Sequence, residues 1–362
     1  MAKGVSVFLG LDWSLAENLE YLTQAAQAGF SRVFTSLHIP EANYSQLIAE
    51  FKQILDLTTR LDMVVIADIS PNAYQYLQVE AHDLAAFKKM GLAGIRLDYG
   101  FAPELIASYT NNDADLLIEL NASTMSVEFL QQIMNAGANG KNISACHNYY
   151  PRQNTGISLE SLQRKNQIFH HYQVPVSAFV GLATGRRGPL YEGLPTLEFT
   201  RSLAPHVSAQ ILLAAGIDHV FIGDAQADLP TLQRIGKLTP DIIELDVADY
   251  LSNPIYGELF QQVHTNRPDS SADVIRSQES RLMLLENNVI RREVQAENCV
   301  SRNKGSIAID NIAYGRYSGE LQICKRNLTA DERVNVIGRV SDDGLHLLDY
   351  IGDNQKFKLV LF

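Results

Sequence analysis

Residues 94–121, GIRLDYGFAPELIASYTNNDADLLIELN, decide the fold of this chain. Two short apolar runs, GIRLDYG from Gly94 and LLIELN from Leu116, flank a helix-sized segment. Each run has the length of a buried strand and ends in polar residues. Working outward, the same unit recurs on both sides. VSVFLG starts at Val5, RVFTSL at Arg32 and MVVIADI at Met63; NISACHNYY starts at Asn142, PVSAFVGL at Pro175 and HVFIGD at His219. Eight strand-then-helix units before residue 225 predict an α/β fold, a (β/α)8 TIM-like barrel. Apolar spacing predicts helices over residues 15–30, 43–61, 71–90, 125–138, 159–172 and 195–215. Gly91 is a cap after two lysines, and Ser123 with Thr124 precedes the fourth of these helices.

The barrel is assigned to residues 1–240, and residues 241–362 to a second, small β-rich domain, read as a compact barrel. Residues 240–262 read as helical or irregular. The later runs SIAID (306–310), YGRYSGELQIC (314–324), RVNVIGRV (333–340), LHLLDYI (345–351) and KFKLVLF (356–362) read as strands. Asp343-Gly344 and Gly352-Asp353 mark turns.

A net charge of −11 argues against nucleic acid or an anionic membrane surface as the main partner. No run reaches the roughly 20 apolar residues of a membrane span. The N-terminus lacks a signal-peptide pattern, and the three cysteines (Cys146, Cys299, Cys324) show no CxxC spacing. A cytoplasmic protein with free thiols is expected.

Barrels of this kind carry their chemistry at the C-terminal strand ends. The polar residues there are Asp12, His38, Asp68, Asp98, Glu119, Asn121, His147, Asn148 and Asp224. Side chains two apart on a strand share a face, so Arg96 pairs with Asp98, and Glu119 with Asn121. An ionisable group in an aliphatic strand is costly unless it faces partners. The economical arrangement gathers Asp68, Arg96, Asp98, Glu119 and Asn121 at the mouth. Carboxylates on adjacent strands approach to roughly 5–8 Å, the range used by glycosidase pairs. One of His147 and Asn148 must face inward, and either satisfies the pattern. No lysine ends a strand, which removes Schiff-base chemistry. Two long loops, residues 147–160 and 181–201, carry Arg152, Arg186, Arg187 and Glu192. Arginine forks there suit a phosphate or carboxylate.

RLDYGF, IELNAST, CHNYYP, GPLYEGLPTLE, IDNIAYGRYSGELQI and RVNVIGRV, spread in order over essentially the whole chain, resemble the bacterial 6-phospho-N-acetylmuramidase family. The resemblance implies a TIM-like barrel followed by a cyclophilin-like β domain. It implies hydrolysis of the β-1,4 bond of N-acetylmuramic acid 6-phosphate–N-acetylglucosamine, a cytoplasmic step in recycling cell-wall sugars. With the strand positions, it makes Asp98, Glu119 and Asp68 the catalytic candidates. The substrate-binding candidates are Asn121, His147, Asn148, Arg152, Arg186, Arg187, Glu192 and Arg316. Arg316, with Tyr314 and Tyr317, is placed at the cleft, at a second copy of the chain, or in simple packing. No cofactor or metal is expected, and a homodimer is left open. Two alternatives stand: a metal-dependent sugar-phosphate isomerase or epimerase using Asp68, Glu119 and His147, and a non-catalytic sugar-phosphate-binding protein.

Overall fold

The computed structural model of the protein describes all residues except 37–43, 70–73, 75–78, 81, 98–99, 252, 287–289, 292 and 362; for 44–46, 285–286 and 290–291 it describes the backbone alone. The chain forms two compact units, Met1–Lys237 and Leu238–Phe362.

The first unit is the expected closed barrel of eight parallel strands in sequential order. These are β1 (Ala2–Val7), β2 (Arg32–Ser36), β3 (Val64–Ile69), β4 (Gly94–Leu97), β5 (Leu117–Asn121), β6 (Ile143–Cys146), β7 (Val176–Val180) and β8 (His219–Ile222). β8 pairs back onto β1 and closes the ring. Burial on both faces explains why the runs read as continuous apolar stretches. Gly4 makes room for the Phe221 ring, which occupies the space a Cβ would take.

Local sequence sets the helix starts. Ser14 and Glu17 form a capping box on Leu15–Gln27. Ser158 caps Leu159–His171. Ser126, not Ser123 or Thr124, caps Val127–Asn135. The helix expected from residue 195 begins at Pro205 and ends at Ala214. Before it, Leu197 bridges to Ile157 and Glu198–Thr200 forms a 3-10 turn. Pro205 stands in the first turn of the helix, where its missing N–H costs nothing. Within the predicted 71–90 helix, Leu84–Lys89 is helical, and much of the rest lies outside the described residues.

Strand register builds the floor of the site. Ser36 lies opposite Asp68, Asp68 opposite Arg96, Arg96 opposite Glu119, and Glu119 opposite Ser144. One polar row therefore crosses five adjacent strands. Side chains alternate along a strand, so the row shares the barrel interior with Phe34, two residues before Ser36.

The second unit is mostly β. Its strands are β9 (Ile242–Asp249), β10 (Val263–Thr265), β11 (Val274–Arg276), β12 (Leu285–Glu286), β13 (Ile290–Arg291), β14 (Ser306–Asp310), β15 (Leu321–Cys324), β16 (Val334–Val340) and β17 (Lys356–Leu361). Seven form one sheet in the order β10-β17-β9-β16-β14-β15-β11, and β12 pairs with β13. Its two terminal strands, β10 and β11, meet in an antiparallel bridge, Asn266–Ser277, with the Arg267 amide donating to the Arg276 carbonyl at 3.1 Å and the Gln278 amide to the Thr265 carbonyl at 3.0 Å, which fits the expected compact barrel. Two expectations fail. Residues 242–249 form a strand rather than a helical or irregular stretch, with Ile243, Leu245 and Val247 buried in strict alternation. Residues 345–350 fall in a 3-10 helix, Asp343–Tyr350, in which Leu347 and Leu348 are buried, and Ile351 caps it. The run 314–324 becomes a strand only from Leu321, after a 3-10 segment, Ile312–Tyr317. Among the described residues, no helix is long and apolar enough to cross a membrane.

Candidate active site at the barrel mouth

The polar row carries charge into the barrel. Arg96 is buried and donates from Nη2 to Asn148 Oδ1 at 2.6 Å and to the Cys146 carbonyl at 3.4 Å. Glu119 is 1% exposed and accepts from Ser144 Oγ at 3.3 Å. Burial pushes its carboxyl up to about 7, against the opposing pull of Arg96, Arg32 and the Ser144 hydroxyl; Asp68 adds to the rise. Asp68, next to last in β3, is half-buried. Two acids and an arginine thus line up on three neighbouring strands. Asp98 lies outside the described residues, as does His38.

Asn121 and Asn148 cap this row. Asn148 Oδ1 also receives Asn121 Nδ2 at 3.1 Å, and Asn121 Oδ1 accepts the Ser123 amide at 3.0 Å. Asn148 is therefore the residue at this strand end that joins the cluster. His147 turns the other way. It is fully buried, with Nε2 at 2.9 Å from Asn166 Oδ1 and Nδ1 at 3.1 Å from Ser123 Oγ. The Asn166 amide group donates to the Ala215 carbonyl, which leaves its oxygen to accept Nε2–H. Burial lowers the imidazole to about 4, so it is neutral at pH 7. Its link to the site is indirect, because Ser123 Oγ also accepts the Asn148 amide at 2.9 Å. With both ring nitrogens taken, the Asp68–Glu119–His147 metal set considered from sequence is not assembled.

Beside the polar row lies an aromatic floor. Phe8, Phe34, Phe179 and Phe221 form a buried cluster, with Tyr149 packed against it. The Tyr149 ring meets Phe179, Phe8 and Phe34 edge-on, at centroid distances of 5.2, 6.2 and 6.2 Å. The Arg96 guanidinium sits 5.9 Å from the Phe34 ring, so floor and row are contiguous.

The three loop arginines have different fates. Arg187 lies over Phe8 at 4.3 Å and over Tyr149 at 5.3 Å. Its Nη1 donates to Tyr149 Oη at 3.0 Å and its Nε to the Gly188 carbonyl at 3.2 Å. A guanidinium has five N–H donors. Among the described residues the remaining donors of Arg187 meet no partner. Arg186 is spent on its own loop, donating to the carbonyls of Leu182 at 2.6 Å and Tyr191 at 3.3 Å. Arg152 is exposed.

Carboxylates brace these loops. Glu192 accepts the Gln153 amide at 3.0 Å and ties one long loop to the other. Glu198 accepts the amides of Asn154 at 2.8 Å and Gly156 at 2.7 Å and pairs with Arg201 at 2.6 Å. The Arg201 hydrogen bond is the largest cause holding Glu198 down at about 2. Arg201 also donates to the carbonyls of Tyr150, Arg152, Glu192 and Gly193. The sequence reading missed this strut. Its only local signal was an acid and an arginine three apart. Asp224, a strand-end acid, is fully buried and accepts three backbone amides: Leu182 at 2.8 Å, Leu194 at 3.1 Å and Arg187 at 3.1 Å. Asp12 accepts the Gly188 amide at 2.9 Å and the Tyr191 hydroxyl at 2.6 Å; the hydroxyl is the main cause that lowers its pKa. Both acids shape the loop that carries Arg187. In the second unit, Arg316 is exposed, stacks over Tyr317 at 4.8 Å and donates to its hydroxyl at 2.6 Å.

Comparison with known proteins gives a family. The N-terminal profile of 6-phospho-N-acetylmuramidase matches residues 3–237, and the C-terminal profile matches residues 243–360. A search of curated proteins returns no match. Two solved structures are similar over their whole length. An uncharacterized B. cereus protein is 31% identical, with 99% of each chain covered and a TM-score of 0.87. A conserved protein of unknown function from Enterococcus faecalis is 31% identical, with 100% of this chain and 96% of that one covered and a TM-score of 0.80. The chain belongs to the 6-phospho-N-acetylmuramidase family.

Proposed function

We propose that the protein hydrolyses the β-1,4 bond of N-acetylmuramic acid 6-phosphate–N-acetylglucosamine in the cytoplasm, as part of cell-wall sugar recycling. The observation that carries this reading is Arg187. It is a cation set on an aromatic floor, hydrogen-bonded only to neutral groups among the described residues, and that floor adjoins the polar row of Asp68, Arg96 and Glu119. An arginine fork in that state suits a bidentate phosphate or carboxylate. A 6-phosphorylated muramyl sugar offers both.

Bond cleavage needs a proton on the leaving oxygen and a carboxylate, or the substrate's own acetamido group, to meet the developing cation. Carboxyls divide these roles when their surroundings push their pKa values apart. Glu119, held at about 7 by burial, keeps a proton near neutrality. Asp68, half-buried and opposite Arg96, is the carboxylate placed to meet the developing cation. Of Asp98 and Glu119 one donates the proton, and the other is the nucleophile, the base or the group that orients the 2-acetamido. The 1% exposure of Glu119 sets a condition on it. Its proton reaches substrate only if the side chains packed around it move aside. Arg96, Asn121 and Asn148 bind and orient substrate at the mouth.

The test is turnover by the purified protein of the phosphorylated disaccharide and of its unphosphorylated counterpart. Release of N-acetylglucosamine from the phosphorylated form, with far slower release from the other, is expected. Equal rates, or none on either, would reject the reading.

A further inference from the structure

Tyr191 stands out in the loop that carries Arg187. Its φ is +53°, a left-handed backbone that a bulky residue rarely adopts. Such outliers persist where surrounding contacts over-determine them, and they cluster at binding sites. Here the contacts are specific. The Tyr191 hydroxyl donates to Asp12 Oδ1 at 2.6 Å, and the other oxygen of Asp12 accepts the Gly188 amide at 2.9 Å. The ring folds back over Gly188: a methyl placed there would lie 2.9 Å from Tyr191 Oη, 3.1 Å from its Cζ and 3.1 Å from Asp12 Oδ2. Gly188 is thus a seat that a larger residue would fill. With its hydroxyl tied down and its ring tip seated, Tyr191 cannot swing freely. Even so, the residue is 52% exposed. An aromatic ring held rigidly and left partly open in the loop that carries Arg187 is arranged to receive the apolar C–H face of a ring that carries an anion.

We propose that the open face of Tyr191 is the stacking platform for a pyranose ring of the substrate, with Asp12 as the positioning residue that holds it. Sugar C–H groups pack on aromatic faces, and a ring with two side-chain torsions loses little freedom on binding. This rests on the reading of the substrate as a phosphorylated amino-sugar disaccharide. Arg187 takes the anion and Tyr191 takes a ring of the same molecule.

The experiment is steady-state kinetics on N-acetylmuramic acid 6-phosphate–N-acetylglucosamine with the full chain and the variants Tyr191→Ala, Tyr191→Trp, Tyr191→Phe and Asp12→Asn. Tyr191→Ala should raise KM about tenfold with kcat within about threefold of wild type. Tyr191→Trp and Tyr191→Phe keep a ring but not the latch, and both should match Asp12→Asn at an intermediate KM. A wild-type KM in Tyr191→Ala, or the same loss in the Trp and Phe variants as in Ala, would overturn the platform while leaving the substrate reading intact. If the wild-type chain does not cleave the disaccharide, both readings fall together.

Discussion

The guanidinium carbon of Arg187 stands 4.3 Å from the centroid of the Phe8 ring. A cation from the loop after β7 thereby rests on an aromatic side chain that directly follows β1. The ring shields one face of the cation from water without neutralising it. Local charge is strongest where water is thin, so an incoming anion gains more here than at a solvated arginine. Asp224 and Asp12 hold consecutive backbone amides, those of Arg187 and Gly188, and fix the loop around it.

Replacing Arg187 should therefore be selective. Arg187→Ala is expected to lower kcat/KM on the phosphorylated disaccharide by about 10²-fold, and on the unphosphorylated one by little. Arg187→Lys should recover only part, because lysine lacks the planar fork. Arg186→Ala should slow both substrates alike, since its bonds serve its own loop, and Arg152→Ala should change little. Steady-state kinetics on the two disaccharides decides; equal losses for Arg187→Ala would remove it from phosphate recognition.

Amide variants test the acids. Asp98→Asn, Glu119→Gln and Asp68→Asn should each fold, and those that move protons or meet the cation should lose about 10²-fold or more in kcat. A variant with near-normal turnover is not part of the chemistry. Glu119→Gln carries the sharpest reading. If it loses kcat and also the basic limb of the pH–rate profile, Glu119 is the proton donor despite its burial.

Glu119 also predicts how stability depends on pH. Its folded pKa, about 7, lies above the ordinary 4.5, so the folded state holds the proton more tightly than the unfolded state. Between about 4.5 and 7 the unfolded chain releases that proton first, and its contribution to stability falls as pH rises. Denaturant titrations of wild type and Glu119→Gln at pH 5 and pH 8 should show wild type losing ground to the variant at the higher pH. A difference independent of pH would show that the carboxyl is not raised.

Chelation separates hydrolase from isomerase. Protonating a glycosidic oxygen needs no Lewis acid, whereas the metal-dependent isomerase weighed from sequence polarises its carbonyl through a metal ion. In the metal set weighed from sequence, His147 has both ring nitrogens committed to Asn166 and Ser123. Activity on the disaccharide is expected to survive EDTA and exhaustive dialysis. Loss on chelation that a divalent ion restores would turn the assignment toward a metalloenzyme.

Much of the barrel was legible in the linear sequence because its signals are local. Eight apolar runs recur at a steady interval, and serines such as Ser14 and Ser158 start helices through bonds to amides three residues on. The motifs IELNAST and GPLYEGLPTLE carried the family resemblance for the same reason: they are contiguous. Where the signal was not local, reading failed. Residues 242–249 alternate like a strand, yet they run into a real helix, Pro254–Phe260. Their partner β17 lies more than a hundred residues away.

The site depended still more on distance. That Asp68, Arg96 and Glu119 share a row follows from strand register, which the closure of the whole barrel sets. Sequence allowed either His147 or Asn148 to face inward; only the packing of the helix Leu159–His171, which brings Asn166 to the imidazole, chose Asn148. Three loop arginines looked alike in the chain, and their partners distinguished them: Phe8 and Tyr149 for Arg187, local carbonyls for Arg186, solvent for Arg152. Periodicity and capping are properties of neighbours along the chain, so the sequence by itself determined the barrel. Charge state, hydrogen-bond partner and burial are properties of neighbours in space, so only the tertiary structure decided which polar residues make the site.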